Sequence, residues 1–110
     1  MAYREHQTYD QFTAPGNGTA ADVKWKRNHV MAFTVASIDT NVVVRMEGSI
    51  DGTSFFNLNS QDSDTTITSN GTTCLYVDNI PLKHIRPVFV SESGGTAATI
   101  DCKSTSEGDE

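Results

Sequence analysis

At 110 residues the chain suits a single domain with one hydrophobic core and is too short for two. Threonine and valine are frequent and leucine is scarce, which predicts an all-β fold. The formal net charge is −6, and residues 30–110 hold eleven acidic but four basic side chains. Such an acidic body excludes nucleic-acid binding through bulk electrostatics. The polar N-terminus predicts that there is no secretion signal, and the absence of about 18 consecutive apolar residues predicts that there is no membrane span. We therefore expect synthesis in a host cytoplasm.

Residues 1–20 differ from the rest of the chain, because scattered aromatic residues lie among polar ones before a loop rich in glycine and proline. One interpretation is an arm that contacts a neighbouring subunit through Tyr3, Arg4, Tyr9 and Phe12. The other is a first edge strand that lies on the sandwich of its own chain. The sequence leaves both interpretations open.

Residues 22–27 alternate in the manner of a strand, with Val23 and Trp25 on one face. We expect Trp25, the single tryptophan, to fill the core. The basic residues Lys24, Lys26 and Arg27 then form a candidate contact face for an acidic partner surface, or a solvated edge that protects against aggregation.

The central stretch, residues 42–58, predicts a hairpin. Val42, Val44 and Met46 alternate with polar positions, which is typical of a strand with one buried face. Asp51-Gly52 supplies residues that tolerate positive φ, so the chain is expected to turn there and to return through residues 56–58.

The remaining segments alternate in short runs separated by turn residues. We expect strands near 29–37, 65–68, 72–77, 83–91 and 96–103, with turns at 69–71 and 93–95. About seven or eight strands at this spacing predict an antiparallel β-sandwich of jelly-roll or galactose-binding-like type. The predicted organisation is an N-terminal arm and loop (1–20), a β-sandwich domain (21–104) and an acidic flexible tail (105–110).

No set of residues predicts catalysis, a metal site or a cofactor. The three histidines, His6, His29 and His84, lie on unrelated segments and are expected at surfaces or strand edges. Asp62 and Asp64 share a loop that lacks the remaining ligands of an EF-hand.

The two cysteines are expected to be free, buried thiols. Cys74 and Cys102 lie on separate predicted strands without the spacing of a zinc site. A disulfide would require their sulfurs to face each other.

Residues 49–55, Ser-Ile-Asp-Gly-Thr-Ser-Phe, resemble the hairpin of galactose-binding-like sandwiches such as discoidin domains, and residues 83–86, Lys-His-Ile-Arg, resemble a strand of the same family. A wider resemblance covers about residues 30–103. It is carried by Asp-Thr-Asn-Val-Val-Val-Arg at 39–45, Thr-Ile-Thr-Ser-Asn-Gly-Thr at 66–72 and Phe-Val-Ser-Glu-Ser-Gly-Gly-Thr-Ala-Ala-Thr-Ile-Asp at 89–101. These segments resemble small virion structural proteins of tailed bacteriophages.

The resemblance implies a non-enzymatic virion protein on the capsid exterior. We expect a capsid decoration or cement protein that binds the major capsid protein and neighbouring copies of itself. The alternative is a carbohydrate-binding module of a tail or fibre that contacts host glycans. Its candidate residues are Phe55, Tyr76, Asp62 and Asp64.

Overall fold

The computed structural model describes residues 3–58 and 64–108, and of residues 3–9 it describes the backbone. All of the regular structure in this part of the chain is β, so the predicted fold class is confirmed. No helix in the described ranges is long and apolar enough to cross a bilayer. The strands are β1 (Tyr3–Phe12), β2 (Gly16–Asn17), β3 (Ala21–Asp22), β4 (Asn28–Ala36), β5 (Asn41–Ser49), β6 (Phe56–Asn57), β7 (Thr65–Ile67), β8 (Gly71–Val77), β9 (His84–Ser93) and β10 (Thr99–Gly108).

The strands form two antiparallel sheets. The first sheet has the order β1-β10-β4-β8. In the second sheet β9 and β5 are central, with β2 and β3 paired to the outer side of β9 and with β6 and β7 paired to β5. The molecule measures 44 × 24 × 22 Å. Because a ten-residue strand is roughly 33 Å long, the long axis follows the strands.

The core lies between the sheets, and the alternation in the sequence determines which side chains enter it. On β4 the buried residues are Met31, Phe33 and Val35, and on β5 they include Val42, Val44 and Met46. The buried face of β5 is the one predicted from the sequence. Ala98, Ile100 and Cys102 complete the first sheet's inner face, and Ile85 and Phe89 contribute from β9.

The predicted hairpin is confirmed, although its loop is wider than a two-residue turn. Phe56 pairs with Gly48, and residues 50–55 form the connection. The Asp51 carboxylate accepts hydrogen bonds from the amides of Thr53 (2.8 Å) and Ser54 (2.9 Å), which lowers the pKa of Asp51. The next residue, Gly52, has φ +80°, a conformation that glycine adopts without strain.

One sequence-based boundary was wrong, and one predicted turn connects strands of different sheets. Residues 105–108, expected in a flexible tail, continue β10 between β1 and β4 as far as Gly108. The buried residues there, Ser104 and Ser106, are polar, so the hydrophobic period ends before the strand does. The turn at 69–71 does not close a hairpin, because β7 pairs with β5 in the second sheet and β8 pairs with β4 in the first.

Candidate interaction surface

The N-terminal segment forms an edge strand of its own sandwich, which is the second of the two interpretations. β1 pairs with β10, with Arg4 opposite Glu107 and Tyr9 opposite Lys103. Phe12 is buried at 7% exposure and contacts Phe89 edge-on, with ring centroids 6.1 Å apart. Phe12 is therefore a core residue and not an exposed contact, which corrects the expectation for an arm. The side chains of Tyr3, Arg4 and Tyr9 lie outside the described part of the chain.

The predicted strand at 22–27 is a tight turn instead. β3 ends at Asp22, and Lys24 and Trp25 have φ values of 54° and 64°. The Lys26 amide donates to the Val23 carbonyl at 3.0 Å and closes the turn. Two left-handed residues interrupt the alternation, so Trp25 is 49% exposed, whereas Lys26 is buried at 4%. Both predictions for this segment were wrong: Trp25 does not fill the core, and Lys26 does not share an exposed basic face.

Hydrogen bonds fix this turn to the chain beside it. The Lys24 amide donates to Asp22 Oδ1 at 3.0 Å, and the Trp25 amide donates to the Leu82 carbonyl at 2.8 Å. Lys83 Nζ forms an ion pair with Asp22 Oδ2 at 2.5 Å, and this hydrogen bond lowers the pKa of Asp22. We name residues 22–27 the tryptophan turn.

A second turn, residues 78–82, lies against the tryptophan turn. Asn79 has φ 61°, and its backbone amide donates to Asn28 Oδ1 at 3.0 Å. Its side-chain oxygen accepts from Arg27 Nη1 at 3.1 Å. The Ile80 amide donates to the Arg27 carbonyl at 2.9 Å, so the two turns form one hydrogen-bonded unit.

His29 supports this unit from below. It is fully buried, which corrects the expected surface or edge position. Its Nε2 lies 3.0 Å from the Ile80 carbonyl and its Nδ1 lies 2.7 Å from Ser106 Oγ. Because a carbonyl oxygen only accepts, Nε2 carries the proton and Nδ1 accepts from the serine hydroxyl. Burial lowers the pKa of His29 and keeps the ring neutral.

The exposed large apolar side chains of the described residues share one end of the sandwich. β4 and β9 begin at this end, β5 and β8 finish there, and the two turns cap it. The register places Val30 opposite Tyr76 and Phe56 opposite Gly48, near the same strand ends. We name this region the apolar end; its exposed side chains are Trp25, Val30, Ile50, Phe56, Tyr76 and Ile80.

The opposite end of the sandwich is polar. Its turns, residues 37–40, 68–70 and 94–97, expose no large apolar side chain and contain no lysine or arginine. Asp39 is exposed there, while the Glu92 carboxylate accepts from the Ala98 amide at 3.0 Å. The apolar end carries Lys24 and Arg27 as exposed cations beside Trp25. Exposed apolar surface therefore concentrates at one end of the long axis, where Lys24 and Arg27 lie among the exposed carboxylates of Asp22, Asp51 and Asp78.

Charged side chains on the outer face of the second sheet pair with one another. Arg45 contacts Asp64 in bidentate fashion, with N–O distances of 2.8 and 3.0 Å, and Glu47 at 3.1 Å. Arg86 Nε donates to the other Glu47 oxygen at 2.8 Å. The Arg86 guanidinium also lies 3.9 Å from the centroid of the Phe55 ring.

This network occupies two of the positions considered for sugar contacts. One face of Phe55 is covered by Arg86, and Asp64 is held by Arg45 and by the side-chain amide of Asn57 at 3.2 Å. Tyr76 remains 67% exposed, and Asp62 lies outside the described residues.

Both cysteines are free. Cys102 is buried as predicted, but Cys74 is exposed, because it lies on the outer face of edge strand β8. β4 separates the strands of the two cysteines. Burial raises the pKa of the Cys102 thiol to about 12.

Residues 3–58 and 64–108 contain no group of three or more histidine, cysteine, aspartate or glutamate side chains arranged to hold a metal ion. An open depression of about 350 Å³ on the outer face of the first sheet is lined by Ala32, Thr34, Asp101 and Lys103.

No protein-family model matches the chain, and no curated protein matches it either. Its fold is similar to that of the SPBc2 prophage-derived protein YomS, with a TM-score of 0.61 and 10% identity over 97% of this chain and 95% of that one. PirA gives a TM-score of 0.51 with 8% identity, covering 94% and 89% of the two chains. A protein of the Bacillus endospore appendages, described as disulfide-linked pili, gives 0.50 with 9% identity, covering 96% and 86%. At these identities the likeness concerns the fold.

Proposed function

We propose that the chain is a non-enzymatic structural protein of a tailed-phage virion, and within that class a capsid decoration or cement protein. It would lie on the capsid exterior and bind the major capsid protein and neighbouring copies of itself. The observation that carries this proposal is the concentration of exposed apolar side chains at one end of the sandwich.

A sandwich with one apolar end and one polar end suits a subunit that is attached to a protein shell. Exposed apolar clusters rimmed by polar residues are typical of protein contact sites. The polar end, with Asp39 and the serine-, threonine- and glycine-rich turns, suits solvent. The chain would therefore attach through the apolar end and present the polar end outward.

The fold of the neighbours supports the same class of function. YomS is prophage-derived, and the endospore appendage protein belongs to pili. β-Sandwiches of similar fold therefore occur in a prophage-derived protein and in pili. The phage-like segments at 39–45, 66–72 and 89–101 point the same way.

The size of the apolar end accounts for attachment in many copies. The apolar end is the narrow end of the sandwich, with a cross-section of 24 × 22 Å against a long axis of 44 Å. A contact confined to that end would be small. Lateral contacts between copies on a repetitive shell would increase occupancy through effective concentration.

Quantitative mass spectrometry of purified virions tests the proposal. We expect the chain at a copy number on the order of hundreds per particle, in proportion to the major capsid protein. A copy number of roughly a dozen or fewer would instead indicate a tail position and contradict decoration. Absence from purified particles would contradict a virion role altogether.

A further inference from the structure

Trp25 differs from the other exposed apolar residues because its backbone adopts a left-handed conformation. A turn with positive φ at both central residues normally uses asparagine or glycine, since a Cβ atom is unfavourable there. Here lysine and tryptophan occupy the two positions, at φ 54° and 64°. Neither the core nor the backbone requires a tryptophan at this site, because its side chain is 49% exposed.

The turn also holds Trp25 in a fixed position. Its amide donates to the Leu82 carbonyl at 2.8 Å, and the adjoining residues are held by the Lys26–Val23 and Leu82–Lys26 backbone hydrogen bonds at 3.0 and 3.2 Å. The Asp22–Lys83 ion pair ties the start of the turn to the neighbouring segment. A large side chain on a rigid support loses little conformational entropy on binding, which favours tight contacts.

Resting on the proposed function, we infer that Trp25 inserts into an apolar pocket of the capsid protein and supplies most of the attachment energy. Tryptophan is enriched among the few residues that dominate protein interfaces. In a contact confined to the narrow end, a few well-buried side chains would supply most of the affinity.

The charges beside the anchor specify the rim of that pocket. The exposed side chain of Arg27 lies two residues from Trp25, and its guanidinium is oriented by the 3.1 Å hydrogen bond to Asn79 Oδ1. Carboxylates on the partner would complement it and orient the encounter. The nearby carboxylate of Asp22 is already paired with Lys83. Asp78 is exposed, so the part of the partner surface that faces it should be neutral or basic.

A second copy of this chain fits the anchor less well. The polar end exposes no large apolar side chain among the described residues, so a head-to-tail contact would leave Trp25 without a pocket. Two apolar ends facing each other would bring together both like charges and the opposite charges of Arg27 and Asp78, so charge gives that contact no preference. A separate protein with an acid-rimmed apolar pocket accommodates both Trp25 and Arg27.

The test uses particles from a phage lacking the gene for this chain, together with added recombinant protein. The variants are Trp25→Gly and a control, Asp39→Ala, which changes an exposed side chain at the polar end of the sandwich. Glycine relieves the left-handed strain but loses the packing of a half-buried ring, so Trp25→Gly should remain folded with a melting temperature at or below that of the wild type. Its affinity for the particles should nevertheless fall about 30-fold or more. Asp39→Ala should bind within about threefold of wild type, because the polar end faces away from the shell.

Each outcome is decisive. Wild-type affinity of Trp25→Gly would overturn the anchor and leave the proposed function intact, whereas failure of the wild-type protein to bind the particles would overturn the proposed function. Arg27→Glu should weaken binding by about tenfold, and unchanged binding would overturn the acidic rim. Self-association in solution, or binding to a glycan array, that is abolished by Trp25→Gly would replace the capsid pocket with a different partner.

Discussion

His29 provides a pH-dependent test of how the apolar end is supported. In the folded protein its ring is fully buried and neutral, donating to the Ile80 carbonyl and accepting from Ser106. In the unfolded chain it titrates near its ordinary value of 6.5. As the pH falls through 6.5, the unfolded chain therefore takes up a proton that the folded protein does not accept, and unfolding becomes more favourable.

The magnitude follows from the difference in proton uptake. Each pH unit between 6.5 and the lowered folded pKa costs about 1.4 kcal/mol of stability. Acidification to about pH 5 should therefore cost up to about 2 kcal/mol, or roughly 8 °C in melting temperature for a domain of this size. Asp22 and Asp51 have lowered pKa values, so the stability they contribute is present above 3.8 and is lost below it, outside this window.

Urea unfolding between about pH 7.5 and pH 5 measures this effect. The matched control is His29→Gln, whose amide does not titrate and which keeps His6 and His84 in place. We expect stability to fall with pH in the wild type and to stay nearly constant in the variant. Equal slopes for the two proteins, or no slope in the wild type, would refute a neutral buried His29.

Three further predictions concern the core, the ion pairs and the thiols. Phe33→Ala, which removes a fully buried ring, should lower the free energy of unfolding by about 3–5 kcal/mol, and a loss under 1 kcal/mol would contradict its core position. Glu47→Gln should lower the free energy of unfolding by about 1–2 kcal/mol. The loss is limited because the guanidinium groups of Arg45 and Arg86 are partly exposed and regain water. A loss that is not smaller in high salt would contradict an electrostatic origin. In the native protein a thiol reagent should modify Cys74 but not Cys102, as mass spectrometry of labelled peptides would show, and labelling of both at equal rates would contradict the packing of β10.

The framework of the fold was predictable because apolar side chains alternate with polar ones. Val42, Val44 and Met46 identify the buried face of β5 without any structural information, and Asp51-Gly52 identifies the hairpin. The end of β10 was not predictable in this way. Ser104 and Ser106 face inward, and Ser106 is there because its hydroxyl hydrogen-bonds with buried His29.

The candidate contact surface was harder to predict from the sequence. Lys24 and Trp25 adopt left-handed conformations that are unusual for lysine and tryptophan and that the sequence does not indicate. The apparent alternation at 22–27 therefore predicted, wrongly, that Trp25 lies in the core. The apolar end also joins residues far apart in the chain, such as Val30 and Tyr76, which only the strand register brings together. The one signal in the sequence was a tryptophan between two lysines, Lys24 and Lys26.

Electron cryo-microscopy of the intact virion tests the central claim most directly. We expect the sandwich to stand on the capsid with its 44 Å axis pointing away from the shell, Trp25 buried against the capsid protein and the turn at residues 37–40 facing solvent. Density for the chain with the opposite polarity, or particles that carry none of it, would contradict attachment through the apolar end.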